Sequence, residues 1–328
     1  MWNIKCKIPR FLLAVLFIAV ICTSTAWTEL SFPQGRSAST QFMSACLNRL
    51  NIPSADLHWV YVPETADQLH TEENYFYLAG QLITNKVVDA SICPSGGLAA
   101  NKYANACGMA TARPKVIIIQ NMLNEPILQA WKATGVPPVL LKQLIRTESQ
   151  FWPSQYNITH FGFGHITDIG MRNALDWNPS LYSKYCPASA GGNCATKEGI
   201  AYQILTSLAT ICPQCENGID PEAAYRSVDI LAQVLLGYCY QTEQLVYNAT
   251  GWNPSLAVDY ATIWKLTLMN YNSGPGCTYN AIANAFKETE GPIRWPHIVA
   301  NTKGDQCLRG MYYAKTITTK YFDFPPTT

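Results

Sequence analysis

The stretch Leu144–His165, LIRTESQFWPSQYNITHFGFGH, decides how the rest of the chain is read. Leu141, Leu144 and Ile145 mark one helical face at the i, i+3, i+4 spacing, and Glu148 continues that face at i+7. A carboxyl therefore sits on the stripe that ought to be apolar, close to the end of its helix. Burial and the negative end of the helix dipole both favour its protonated form, which is what a general acid working near neutral pH requires. Aromatic Phe151 and Trp152, a polar run, and then Phe161-Gly162-Phe163-Gly164-His165 follow, which reads as a loop folded back beside the helix end, with room for a small hairpin.

Working outward, helix punctuation is clear on both sides. EPILQAWKATG predicts a short helix ended by Gly135, and Pro137-Pro138 opens the helix that carries Glu148, since a proline at the first helical position loses no hydrogen bond. Asp220-Pro221 supplies an N-cap and first-turn proline for a long helix closed by Gly251. Asn253-Pro254 starts another, SLAVDYATIWKLTLMNYN, which runs into Ser273-Gly274-Pro275-Gly276, and the region Tyr279–Phe322 predicts one or two shorter helices. No strand-rich segment is long enough for a major sheet, and the expected class is mainly α. The expected domains are a signal segment over 1–26, an N-terminal extension of unassigned role over 27–125, and a helical domain over 126–328 with an irregular, cysteine-stapled insertion at about 176–219.

Lys5, Lys7 and Arg10 precede an uninterrupted apolar run from Phe11 to Cys22, and small Ser24, Thr25 and Ala26 follow, which is the layout of a cleaved secretory signal. The run is too short to cross a bilayer as a helix, which needs roughly 20 residues, so no membrane insertion is expected after cleavage. Removing it takes three of the 23 basic residues and none of the 22 acidic ones, leaving a formal charge of about −2. Such a balance excludes a protein that grips nucleic acid through its phosphates. Of 12 cysteines, ten lie beyond residue 26, an even number in an exported chain, so disulfides are the default reading. Cys277 is expected to meet Cys307, and the group from Cys186 to Cys239 to staple the insertion. Cys212-Pro-Gln-Cys215 admits a zinc or redox reading, but the companion ligands and the surrounding pattern for either are missing.

Three segments stand together in order: Glu148-Ser149 with Phe151 and Pro153, then Phe161–His165, then Asn270-Tyr271-Asn272-Ser273-Gly274-Pro275-Gly276, with GVPPVLLKQLIRTES leading in. Together they resemble the soluble type of lytic transglycosylase domain, which writes them as a helix ending ES-x-F-x-P, a G-L-M-Q turn and A-Y-N-A-G-P-G. The resemblance covers roughly Ala133 to Phe286. It implies a lysozyme-like helical fold and cleavage of the β-1,4 bond between N-acetylmuramic acid and N-acetylglucosamine, the sugar's own 6-hydroxyl attacking to leave a 1,6-anhydro end. Glu148 is then the single acid/base, Ser149, Phe163, His165, Tyr271 and Asn272 the substrate-site residues, with Tyr271 placing its hydroxyl near Glu148 and Asn272 holding the helix end in register. It implies no cofactor and no metal, peptidoglycan glycan strands as partner, a monomer, and the envelope of a bacterium as the place of action.

His165 departs from the glutamine of the family turn, and Gly164 from its methionine. A neutral imidazole still donates one hydrogen bond and accepts another, and activity is expected to gain a pH dependence near histidine's own titration that His165→Gln removes. Asp168 opens a second reading: goose-type lysozymes, relatives of that fold, carry an aspartate near there that positions water, and the outcome would be hydrolysis. A third is a cell-wall-binding module without turnover. The plain readings are a Glu148 paired with Arg146 or Lys142, and Trp152, Tyr156, Phe161, Phe163 and Trp252 as core or loop anchors, of which one or two line a groove. His160 and His165 lack a third ligand at helical or strand spacing, so a metal is not implied.

Overall fold

The computed structural model describes residues 44–49, 58–153, 159–187 and 194–319. The signal reading over 1–26, Tyr156, and the end of the chain lie outside these. Among the described residues all regular structure is helical, and strand pairing is limited to four isolated bridges. In chain order the helices are α1 (Phe76–Thr84), α2 (Ala106–Met122), α3 (Asn124–Thr134), α4 (Pro138–Ser149), α5 (Asp168–Trp177), α6 (Pro179–Tyr185), α7 (Lys197–Thr206), α8 (Pro221–Thr250), α9 (Pro254–Ala257), α10 (Tyr260–Ser273), α11 (Pro275–Thr289), α12 (Trp295–Asn301) and α13 (Asp305–Thr319).

Local chemistry sets these boundaries. Gly135 and Gly251 close α3 and α8 in the left-handed conformation that a residue without Cβ adopts freely, at φ 74° and 71°. Pro138 and Pro221 open α4 and α8, and the Asp220 carboxylate accepts from Ala223 N at 2.8 Å. One expected helix is two. After Ala257 the chain goes extended at Val258, which bridges to Ile293, and Ile293 N donates to Ala257 O at 2.7 Å. Asp259 then caps a fresh start, accepting from Thr262 N at 2.6 Å, so the break carries its own N-cap signal.

The core is built around α8, against which α3, α5, α10 and α11 all pack. Ile230, Leu231, Val234 and Leu235 of α8 are fully buried, as are Leu141, Leu144 and Ile145 of α4. Each such side chain is worth about 1.5–3 kcal/mol in transfer from water. α13 packs against both α10 and α4, and its middle, at Tyr313, meets the end of α4 at Glu148.

The expected boundary after residue 125 falls inside the first turn of α3, which follows α2 after one residue. The described residues gather into a single compact unit, and side chains of the extension such as Leu78, Val116 and Ile119 share its core.

Five disulfides are formed: Cys46–Cys239, Cys93–Cys107, Cys186–Cys194, Cys212–Cys215 and Cys277–Cys307. The Cys277–Cys307 pairing is the expected one. Cys239 corrects the expected staple of the insertion: it lies on the buried face of α8 and reaches Cys46, 193 residues away, while Cys212 and Cys215 close on each other. Among the described residues no helix is long and apolar enough to cross a membrane.

Candidate active site

α4 ends abruptly. Ser149 is its last residue, and Gln150 and Phe151 follow in the left-handed region at φ 46° and 64°. Two successive non-glycine residues there cost on the order of 1 kcal/mol each or more. The strain is offset by what the turn buries, since Phe151 and Trp152 are both 0% exposed. The turn leaves Glu148 half-buried at the helix end, with 17% of its side chain exposed.

The returning loop closes through a bridge in which Phe161 and Ile166 exchange two backbone hydrogen bonds of 3.0 Å, the small hairpin expected after Glu148. Inside it Gly164 approaches α8 and α10 closely. A Cβ there would lie 2.4 Å from Leu231 Cδ1 and 3.1 Å from Tyr271 Oη, so any larger residue would have to displace the Leu231 side chain. Tyr271, from the end of α10, donates its phenol to Gly164 O at 2.6 Å and thereby pins the loop. His165 is also left-handed, at φ 52°, and its Nδ1 stands 3.3 Å from Glu148 Oε2. His160 meets the His165 ring edge-on at 6.1 Å.

The other carboxylate oxygen belongs to a residue that sequence reasoning did not single out. Tyr313 of α13 donates its phenol to Glu148 Oε1. A signal for it existed: Tyr313 is three residues after buried Gly310 and four before buried Ile317, which places it on the inward face of α13, whereas Tyr312 is 57% exposed.

Burial, and after it the negative charge of Glu148, hold the Tyr313 and Tyr271 phenols well above the ordinary tyrosine value. Tyr238, edge-on to Tyr271 at 5.2 Å, is pushed up to about 12 by burial, and Tyr260 likewise. These shifts fix a pH response of the fold. A phenol whose folded value is raised contributes stability that is complete below the unfolded value near 10 and is lost as pH rises through the folded one. Stability toward denaturant is therefore expected to be independent of these tyrosines up to about pH 9.5 and to fall steeply above about pH 10. In an alkaline titration, phenolate absorbance from these tyrosines should appear together with loss of helical signal; ionisation of all tyrosines with the helices intact would contradict it.

The remaining sequence candidates are placed as follows. Ser149 is 2% exposed and donates to Ile145 O at 3.0 Å, within its own helix. Phe163 is 1% exposed and belongs to the core beneath the loop. Asn272 is exposed on α10; the asparagine that ties α10 to α8 is Asn270, fully buried and donating to Gln241 Oε1 at 2.9 Å and Thr242 Oγ1 at 3.2 Å. Asp168 is exposed at the start of α5, with its carboxylate 2.8 Å from Arg172 Nη2.

Neither basic residue considered as a partner for Glu148 is engaged with it by the bonds described. Arg146 forms an ion pair with Glu73. Lys142 is fully buried, donating to Leu69 O and to Asn124 Oδ1 at 2.7 Å, and burial holds its ammonium well below the ordinary lysine value. Of the aromatics, Trp152 is core, Phe161 is half-buried, and Trp252 is 38% exposed, edge-on to Phe286.

The structure thus brings Glu148, His165 and Tyr271 together and adds Tyr313, while Ser149 and Phe163 are buried and Asn272 points to solvent. Among the described residues no group of three or more histidines, cysteines or acidic side chains is arranged to hold a metal ion. No family model matches this chain, and neither the curated proteins nor the solved structures contain a significant match.

Proposed function

We propose that the chain is a secreted peptidoglycan lytic transglycosylase of lysozyme-like fold, acting through Glu148 as sole acid/base. The observation that carries this reading is the environment of that carboxylate: half-buried at a helix end, with a neutral phenol on Oε1 and an imidazole beside Oε2. Tyr313 keeps its proton at any working pH, so it remains a donor and stabilises the carboxylate formed when Glu148 gives up its proton. Tyr313 thus holds Oε1, and the oxygen assigned to proton exchange with the sugar is Oε2, on the side of His165.

In the forward direction Glu148 protonates the glycosidic oxygen as the bond to the anomeric carbon breaks. The muramic acid 6-hydroxyl then bonds to that carbon, its proton returns to Glu148, and a 1,6-anhydro ring is left. Ordinary glycosidases flank the bond with two carboxylates; here the acceptor hydroxyl belongs to the substrate, and one suffices. Asp168, the residue on which a hydrolytic outcome would rest, is turned to Arg172. Five disulfides accord with an oxidising, extracytoplasmic location, and the signal layout with export.

The test is incubation of the mature protein with purified peptidoglycan and mass spectrometry of the glycan ends. Anhydro ends support the proposal, reducing ends indicate a muramidase, and pelleting without release indicates a binding module. Tyr313→Phe is expected to lower turnover by about ten- to a hundredfold with KM little changed, because a hydrogen bond to a charged group is worth about 1.5–3 kcal/mol and this one strengthens as the carboxylate forms. Full activity in Tyr313→Phe would mean that the phenol serves packing alone.

A further inference from the structure

We propose that Gln150 is a positioning residue for Glu148, and that through it the N-terminal extension is a working part of the site; this rests on Glu148 being the acid/base. The argument starts from α1. Its N-cap, Tyr75, makes no side-chain cap, so the N–H groups of its first turn lack intrahelical acceptors. One of them, Tyr77 N, donates to Gln150 Oε1 at 3.2 Å. Gln150 is at the same time the left-handed residue that ends α4, its own N donating to Arg146 O at 3.1 Å. A single side chain therefore joins the start of one helix to the end of another, two residues past Glu148.

The segment leading into α1 is fixed independently. Asn121 receives Thr71 N at 2.9 Å and donates to Thr71 O at 2.7 Å, and Gln120 does the same to Glu73 with two bonds of 3.0 Å. Two side-chain amides of α2 thus hold this stretch as a neighbouring strand would. On its other side Glu73 pairs with Arg146, and the Tyr75 ring packs on Phe151 at 5.4 Å. Residues 71–77 are consequently anchored to α2 and pressed against the final turn of α4.

That turn must be held, because Glu148 meets Tyr313 from α13 and His165 from the loop, and a displacement of about 1 Å is enough to cost on the order of 100-fold in a reaction that needs both contacts. Gln150 is also an unfavourable choice for its backbone. At φ 46° glycine or asparagine is less strained, so the glutamine stands there against its local preference. Its amide reach explains why.

Gln150→Gly and Gln150→Asn in the full chain test this. Both relieve the left-handed strain and neither reaches Tyr77, so the unfolding midpoint should stay the same or rise while kcat on soluble murein oligosaccharides falls about tenfold or more and KM is unchanged. A residue acting only through stability cannot move the two in opposite directions. Activity within about twofold of the parent in both variants, or parallel loss of stability and activity, overturns the proposal. A parent that leaves murein untouched sinks the functional reading instead. Amide hydrogen exchange across residues 146–152 then decides the positioning role: faster exchange there with the rest of α4 unchanged supports it, and unchanged exchange refutes it.

Discussion

Glu148→Gln is expected to slow formation of new glycan ends from purified peptidoglycan by roughly 10²–10⁴-fold, the usual contribution of a positioned general acid or base. The substitution is nearly isosteric. The amide oxygen can still accept from Tyr313 and the amide nitrogen can face His165, so the two contacts of the parent side chain survive in form. Only the transferable proton is lost. Circular dichroism and the unfolding midpoint should consequently match the parent, which separates a chemical defect from a folding one. Product formation at the parental rate in this variant would remove the basis of the functional reading.

The second large effect concerns stability. Cys46–Cys239 closes a loop spanning 193 residues of separation, whereas Cys212–Cys215 closes one of three. Loop-closure entropy assigns the first on the order of 5 kcal/mol and the second about 2. Cys46 and Cys239 are both fully buried, so replacing them also leaves unfilled space beside α8. What remains of the tie is Glu243, whose Oε1 accepts from Ser44 Oγ at 2.5 Å and from Cys46 N at 3.0 Å. Cys46→Ala/Cys239→Ala should therefore lose several kcal/mol in denaturant unfolding, and Cys212→Ala/Cys215→Ala much less. Equal losses would show that the long bridge adds no restraint beyond its contacts.

How far the sequence leads depends on whether the signal is local. Helix ends were legible because proline, aspartate and glycine act within one turn: Pro138, Asp220 and Gly251 lie where their chemistry puts them. Glu148 was legible from periodicity and its neighbours from the companion segments. The break at Val258 was not, because Asp259 looks like any polar residue on a helix until its cap to Thr262 is seen. Tyr313 was not legible because its partner is 165 residues away and no short motif marks the inward face of α13. Asn270 rather than Asn272 ties α10 to α8 because it lies three and four residues after buried Thr267 and Leu266, a stripe that matching to a short motif overlooks. The contribution of the extension was illegible for the same reason: its amide bonds and its link to Gln150 join segments some 50 to 73 residues apart.

The pattern of the five bridges bears on how the chain is made. Taken in order of synthesis, Cys93, Cys186, Cys212 and Cys277 each join the next cysteine along, but Cys46 must wait while three such pairs form inside its loop. An oxidant that links thiols in the order they emerge would tie Cys46 to Cys93 and then Cys107 to Cys186, neither of which is a bridge of the folded chain. Correct pairing is therefore expected to need reshuffling of early bridges, and yield from a producing strain should follow its isomerase rather than its oxidase.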